Sequence, residues 1–97
     1  MSRDKNNKQM AIEKYTKRAC KAAESVHPEL NWYALRRSGI VSVGWTKTIK
    51  VVPESDRSVK LLWDNLVVEE LKIKKEEIKR AFERETSASV DNTTWSV

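Results

Sequence analysis

Residues 39–63, GIVSVGWTKTIKVVPESDRSVKLLW, differ in composition from the helix-forming sequence on either side, and their reading decides the fold. From Val41 the apolar residues fall at Val41, Val43, Trp45, Ile49 and Val51, with Ser42, Gly44, Thr46, Thr48 and Lys50 between them. That is the period of two of a half-buried strand, and only Lys47 breaks it. β-Branched and aromatic side chains dominate the run, and their stiff χ1 suits a pleated surface better than a helix. Pro53-Glu54-Ser55-Asp56-Arg57-Ser58 then reads as a turn, because proline removes a ladder donor while Ser and Asp bond their own backbone. A second β-like run, Val59 to Trp63, follows. The pattern predicts a β-hairpin with a polar loop, and Trp45 and Trp63 are expected to face each other across it and plug the core.

Working toward the N-terminus, Glu29 to Ser38 reads as a short helix, with Pro28 in its first turn and Gly39 as the left-handed residue that closes it. Further back, Ile12, Tyr15, Ala19, Ala22 and Val26 are spaced three, four, three and four, the apolar stripe of a helix over about residues 9–26. Lys14, Lys17, Arg18 and Lys21 gather on nearly the opposite side of the wheel. Residues 1–8 are charged and Asn-rich, which predicts a frayed start.

Toward the C-terminus, Asp64 or Asn65 is placed to cap a long charged helix reaching about Glu85, with Val67, Leu71, Ile78 and Phe82 on its buried face. Lys74 or Lys75 interrupts that stripe between Leu71 and Ile78, so a bend is expected there. Residues 86–97 read as a flexible polar tail with one large apolar group, Trp95. The predicted fold is therefore α+β: two N-terminal helices, a central β-hairpin and a long C-terminal charged helix. Residues 1–85 form a single small domain and 86–97 a tail.

The 97 residues carry a net charge of +5, distributed unevenly. Residues 1–63 stand at +7 and residues 64–97 at −2. A basic body attracts polyanions, nucleic acid or an acidic protein surface, and speeds their association. The polar N-terminal MSRDKNNKQM lacks the apolar core of a signal peptide, and no run has the 18 or so apolar residues of a membrane span. With a single cysteine, these features lead to the expectation of a cytoplasmic, reducing compartment and no membrane partner.

Chemistry is sparse. His27 is the only histidine, and its neighbours Ser25 and Glu29 sit at a helix boundary rather than on a convergent face, so it reads as a boundary residue and not a general base. Cys20 reads as a partly buried structural thiol. With two glycines there is no phosphate-binding loop, and no nucleophile elbow or acidic metal cluster occurs. The expectation is a non-enzyme with no catalytic residues, no metal and no cofactor, and no small-molecule substrate.

Four tryptophans in the company of cations carry the functional reading. Trp32 and Tyr33 precede Arg36 and Arg37, while Trp45 shares its strand with Lys47 and Lys50. Aromatic faces interleaved with basic groups suit nucleic acid, on which bases stack and phosphates pair with cations. The candidate binding set is Lys14, Lys17, Arg18, Lys21, Trp32, Tyr33, Arg36, Arg37, Lys47, Lys50 and Trp95. It predicts a small basic module that binds DNA or RNA. The alternative is a protein-interaction factor, an inhibitor or adaptor docking on a larger host or nucleic-acid-processing enzyme, since Trp, Tyr and Arg also dominate protein hot spots.

Overall fold

The computed structural model describes residues 2–95, with side chains from residue 7 onward. Helix α1 runs from Ser2 to Val26. Four antiparallel strands follow, β1 (Trp32–Leu35), β2 (Ile40–Val43), β3 (Thr46–Ser55) and β4 (Ser58–Trp63), with a 3₁₀ turn, Arg36–Ser38, between β1 and β2. Helices α2 (Asn65–Leu71) and α3 (Lys75–Thr86) then cross over to β5 (Ser89–Thr94), which pairs parallel to β4. The sheet order is β1-β2-β3-β4-β5. The class is α+β, but the predicted layout is corrected at four points.

The first concerns the hairpin. The run from Val41 to Val51 is two strands, because Gly44 at φ 58 and Trp45 form a two-residue turn that pairs Val43 with Thr46. A positive φ at the first central residue only is what a type II′ hairpin requires of its glycine. A two-residue turn moves the inward positions from odd to even numbers. A bulge then moves them back: the register shifts between Val41 and Ser42, leaving Thr48 extra, so that Ser42 opposes Lys47 and Val41 opposes Ile49. The two parity changes cancel, and the apolar residues stay on odd numbers straight through a chain reversal. Lys47, the one break in the pattern, lies beside that bulge.

Secondly, the predicted helix over Glu29 to Ser38 is strand β1 and the 3₁₀ turn. Gly39 does close a helical turn in the left-handed region, at φ 71, but of the 3₁₀ kind. Thirdly, the long charged helix is broken. Asp64 Oδ1 accepts from the Leu66 and Val67 N–H groups and starts α2. Lys72, at φ 54, ends it, and the Ile73 N–H reaches back to Val68 O at 2.9 Å in a Schellman closure. The interruption in the apolar stripe falls at this break. Ile73 then turns into the core before α3 begins. Finally, residues 89–94 are no tail but the fifth strand. Val90 on β5 is buried, and Asn92 accepts from the Trp63 indole at 2.9 Å. The frayed start expected for residues 1–8 falls mostly on side chains outside the described residues, as do residues 96 and 97 of the expected tail.

The core lies between one sheet face and the helices. Val41, Ile49 and Trp63 form one inward row, with Val51 and Leu61 in the next and Val59 and Val90 beyond. Ala19, Ala22 and Ala23 present small, fully buried side chains there, which lets α1 approach its neighbours closely. Tyr15 meets Phe82 of α3 edge-on at 6.0 Å and donates to Asp56 O, tying α1 to α3 and to the β3–β4 turn. Among the described residues no helix is long and apolar enough to cross a membrane.

Candidate nucleic-acid interface

With the helices on one side, the other face of the sheet is uncovered, and strand pairing fixes what stands on it. Directly paired residues share a face. One outward row is Leu35, Ile40, Lys50, Leu62 and Thr93 from β1 to β5. Beside it lies the row Tyr33, Ser42 and Lys47, and on the opposite side the row Val52, Lys60 and Asp91. Tyr33 and Leu35 are 55% and 47% exposed, and Lys47 and Lys50 are exposed as well. Between them Ile40 is buried on this outer face without joining the core cluster.

The predicted site residues separate into three groups. Tyr33, Lys47 and Lys50 come together on the open face, flanked by Arg36 and Arg37 in the exposed 3₁₀ turn and by Trp45 at the β2–β3 turn. Lys14, Lys17, Arg18 and Lys21 lie on the helical layer instead, where they line one depression with Glu85 of α3. Lys14 sits over the Tyr15 ring at 5.4 Å, and an Arg18 Nη1 donates to Glu85 O at 3.1 Å. The third group leaves the site. Trp32, neighbour of Tyr33 in sequence, points inward because a strand alternates; it is buried and its indole donates to His27 O at 3.0 Å. Trp95 is half-buried at the opposite edge of the sheet, with its backbone N–H donating to Trp63 O.

The expected pairing of Trp45 with Trp63 does not form. Trp63 is the largest fully buried side chain, whereas Trp45 is fully exposed. Leu35, Ile40 and Lys60 were missed as members of the open face. Reading β1 as a helix hid the first of these, since Leu35 and Tyr33 share a side only at a period of two.

Electrostatics set the two halves of the open face apart. Residues 31–53 contain Arg36, Arg37, Lys47 and Lys50 and no Asp or Glu. None of these four cations forms an ion pair among the described residues. On the β3–β5 half, Lys60 is paired to Glu54 at 3.5 Å and stands opposite Asp91.

His27 and Cys20 are structural in placement. The His27 Nε2 accepts the Lys74 N–H at 2.9 Å, so Nδ1 carries the proton donated to Glu29 at 2.9 Å, and the ring bolts the end of α1 to the start of α3. That hydrogen bond holds the Glu29 carboxyl below its ordinary range. Burial, with a smaller contribution from the Glu24 charge, pushes the Cys20 thiol up to about 11. Among the described residues no three His, Cys, Asp or Glu side chains are grouped to hold a metal ion. Compared with known proteins, the chain matches no family model, no curated protein and no solved structure.

Proposed function

We propose that this chain is a small non-enzymatic binding module for nucleic acid. The observation that supports it is the carboxylate-free stretch of residues 31–53, where Lys47 and Lys50 stand exposed on one half of an uncovered sheet and Arg36 and Arg37 in the turn at its margin, none of the four in an ion pair among the described residues. Like charges on neighbouring strands repel one another, and a polyanion relieves that repulsion while releasing its own condensed counterions. The helical-layer stripe of Lys14, Lys17, Arg18 and Lys21 adds long-range attraction from the opposite side of the molecule.

The test is fluorescence anisotropy of labelled DNA and RNA, single- and double-stranded, titrated with the protein from about 50 to 200 mM salt. If the four cations each meet a phosphate, log K falls against log salt with a slope of roughly −3, at about 0.7 to 0.9 per contact. The double variant Lys47→Glu/Lys50→Glu should flatten that slope and weaken binding to every sequence. An absence of binding at the low-salt end overturns the proposal and leaves an acidic protein surface as the partner class to test.

A further inference from the structure

Resting on the nucleic-acid reading, we infer that the ligand of the β1–β3 corner is a single strand, with its bases stacked on Tyr33 and Trp45 and its phosphates on Lys47 and Lys50. The argument begins with Trp45. A type II′ turn demands glycine at its first central position, met by Gly44, and places no such demand on the second. Small polar residues serve there, yet this chain carries an indole that is fully exposed and contributes nothing to the core. Tyr33 makes a similar exception on β1, since its outward position on a solvated face calls for a polar residue.

The strand register turns these exceptions into a groove. The Tyr33–Ser42–Lys47 row and the Leu35–Ile40–Lys50 row cross the same three strands. Tyr33 and Leu35 stand on β1 and the lysines on β3, two strand spacings or about 10 Å away. Between them runs β2 with Ile40 and Ser42, each 6% exposed, as a floor. One wall is thus apolar and aromatic and the other cationic. A chain lying along β2 meets bases on one side and charge on the other, which is the asymmetry of an unpaired nucleotide strand. A duplex offers its phosphates but keeps its bases stacked inside, out of reach of Tyr33 and Trp45.

The experiment compares a labelled oligothymidylate with its duplex on oligoadenylate, using the full chain and the variants Tyr33→Ala, Trp45→Ala, Trp45→Phe and Lys17→Glu/Lys21→Glu. The single strand should bind more tightly than the duplex. Tyr33→Ala and Trp45→Ala should each weaken it by about five- to a hundredfold, with Trp45→Phe in between and duplex affinity unchanged. Reversing the helical-layer charges should weaken both ligands alike without altering their ratio. Both aromatics are exposed, so all variants should melt with the parent, and circular dichroism checks this. Equal affinity for duplex and single strand, or no loss in either alanine variant, overturns this inference while leaving the polyanion reading in place. No binding of either ligand overturns both. A change of sedimentation coefficient in Trp45→Ala with unchanged affinity would assign the face to a second copy of the chain and overturn the inference as well.

Discussion

The fifth strand stands or falls with Asn92. Its Oδ1 accepts from the buried Trp63 indole at 2.9 Å, and its Nδ2 donates to Lys75 O at 3.3 Å and to a Glu76 carboxylate oxygen at 3.2 Å. One side chain therefore joins β4, β5 and the start of α3. In Asn92→Ala the Trp63 N–H, on a fully buried residue, loses its acceptor, and such an orphan costs about 1–3 kcal/mol. The Lys75 carbonyl and Glu76 carboxylate lie near solvent and recover water. For a domain of this size each kcal/mol lowers Tm by about 4–8 °C, so a loss near 2 kcal/mol is a fall of about 8–16 °C. A double-mutant cycle isolates the bond. Trp63→Phe deletes the donor and should cost about 1–2 kcal/mol less in the Asn92→Ala background than in the parent. Thermal and urea unfolding by circular dichroism measure all four proteins. Additive effects, or an Asn92→Ala cost under about 0.5 kcal/mol, would refute the argument. Ending the chain at Thr86 is a cruder version of the test: a flexible tail would leave Tm unchanged, whereas loss of β5 uncovers the β4 edge and should abolish the cooperative transition.

Three further outcomes are expected. Gly39→Ala places a Cβ 3.1 Å from Val51 O and 3.2 Å from Ile12 Cγ2 at φ 71, whereas Gly44→Ala meets nothing within 4 Å at φ 58. At Gly39 left-handed strain of about 1–2 kcal/mol adds to these close contacts, so Gly39→Ala should lower Tm by more than about 4 °C, and an unchanged Tm would contradict the packing of α1 on this turn; at Gly44 the cost is backbone strain alone, in the region a type II′ turn reserves for glycine. Asp64→Ala removes the cap of α2 and should cost about 0.5–2 kcal/mol by urea titration, with Asp64→Asn retaining most of it. Cys20, with its folded pKa raised above the ordinary 9.0 to about 11, contributes stability that is present below pH 9 and lost as pH rises through 11. The parent should therefore lose more stability than Cys20→Ala across that window, and the native thiol should react with a thiol reagent far more slowly than the thiol in urea.

What could be read from the sequence was local chemistry, and what could not was partnership. Helix α1 is legible because its apolar stripe and its length both exceed what chance supplies, and the cap at Asp64 because the side chain acts on N–H groups two and three residues away. The β2–β3 turn was illegible for a definite reason: two parity changes, one from the turn and one from the bulge at Thr48, cancel and leave an alternation that looks like one long strand. Strand β1 was hidden by brevity, since four residues, Trp32–Leu35, are too few to tell a period of two from one of 3.6. Strand β5 was hidden by its chemistry. Its inward positions are Val90, Asn92 and Thr94, and the last two are satisfied by hydrogen bonds to Trp63 and Asn65 rather than by burial of apolar surface. No hydropathy pattern records such a strand.

The same parity argument decides which aromatics are available for function. A reading of residues 29–38 as a helix puts Trp32, Tyr33, Arg36 and Arg37 on one surface together. As a strand, the stretch sends Trp32 to the core and Tyr33 to the open face, and the 3₁₀ turn then sets the two arginines at the margin of that face. Trp45 follows the same logic. Within one long strand it would point inward with Val43 and Ile49, but in a two-residue turn it lies outside the strand pairing and is fully exposed. The chain spends two of its four tryptophans on internal contacts, Trp32 on His27 and Trp63 on Asn92, each with an indole hydrogen bond that accounts for its position, and Trp95 is half-buried at the end of β5, where its backbone N–H reaches Trp63 O. Trp45 alone is fully exposed. It stands beside Lys47, on the half of the sheet that carries no carboxylate. On the proposed reading, a fully exposed indole beside a lysine that forms no ion pair among the described residues meets a ligand that brings both an aromatic face and negative charge.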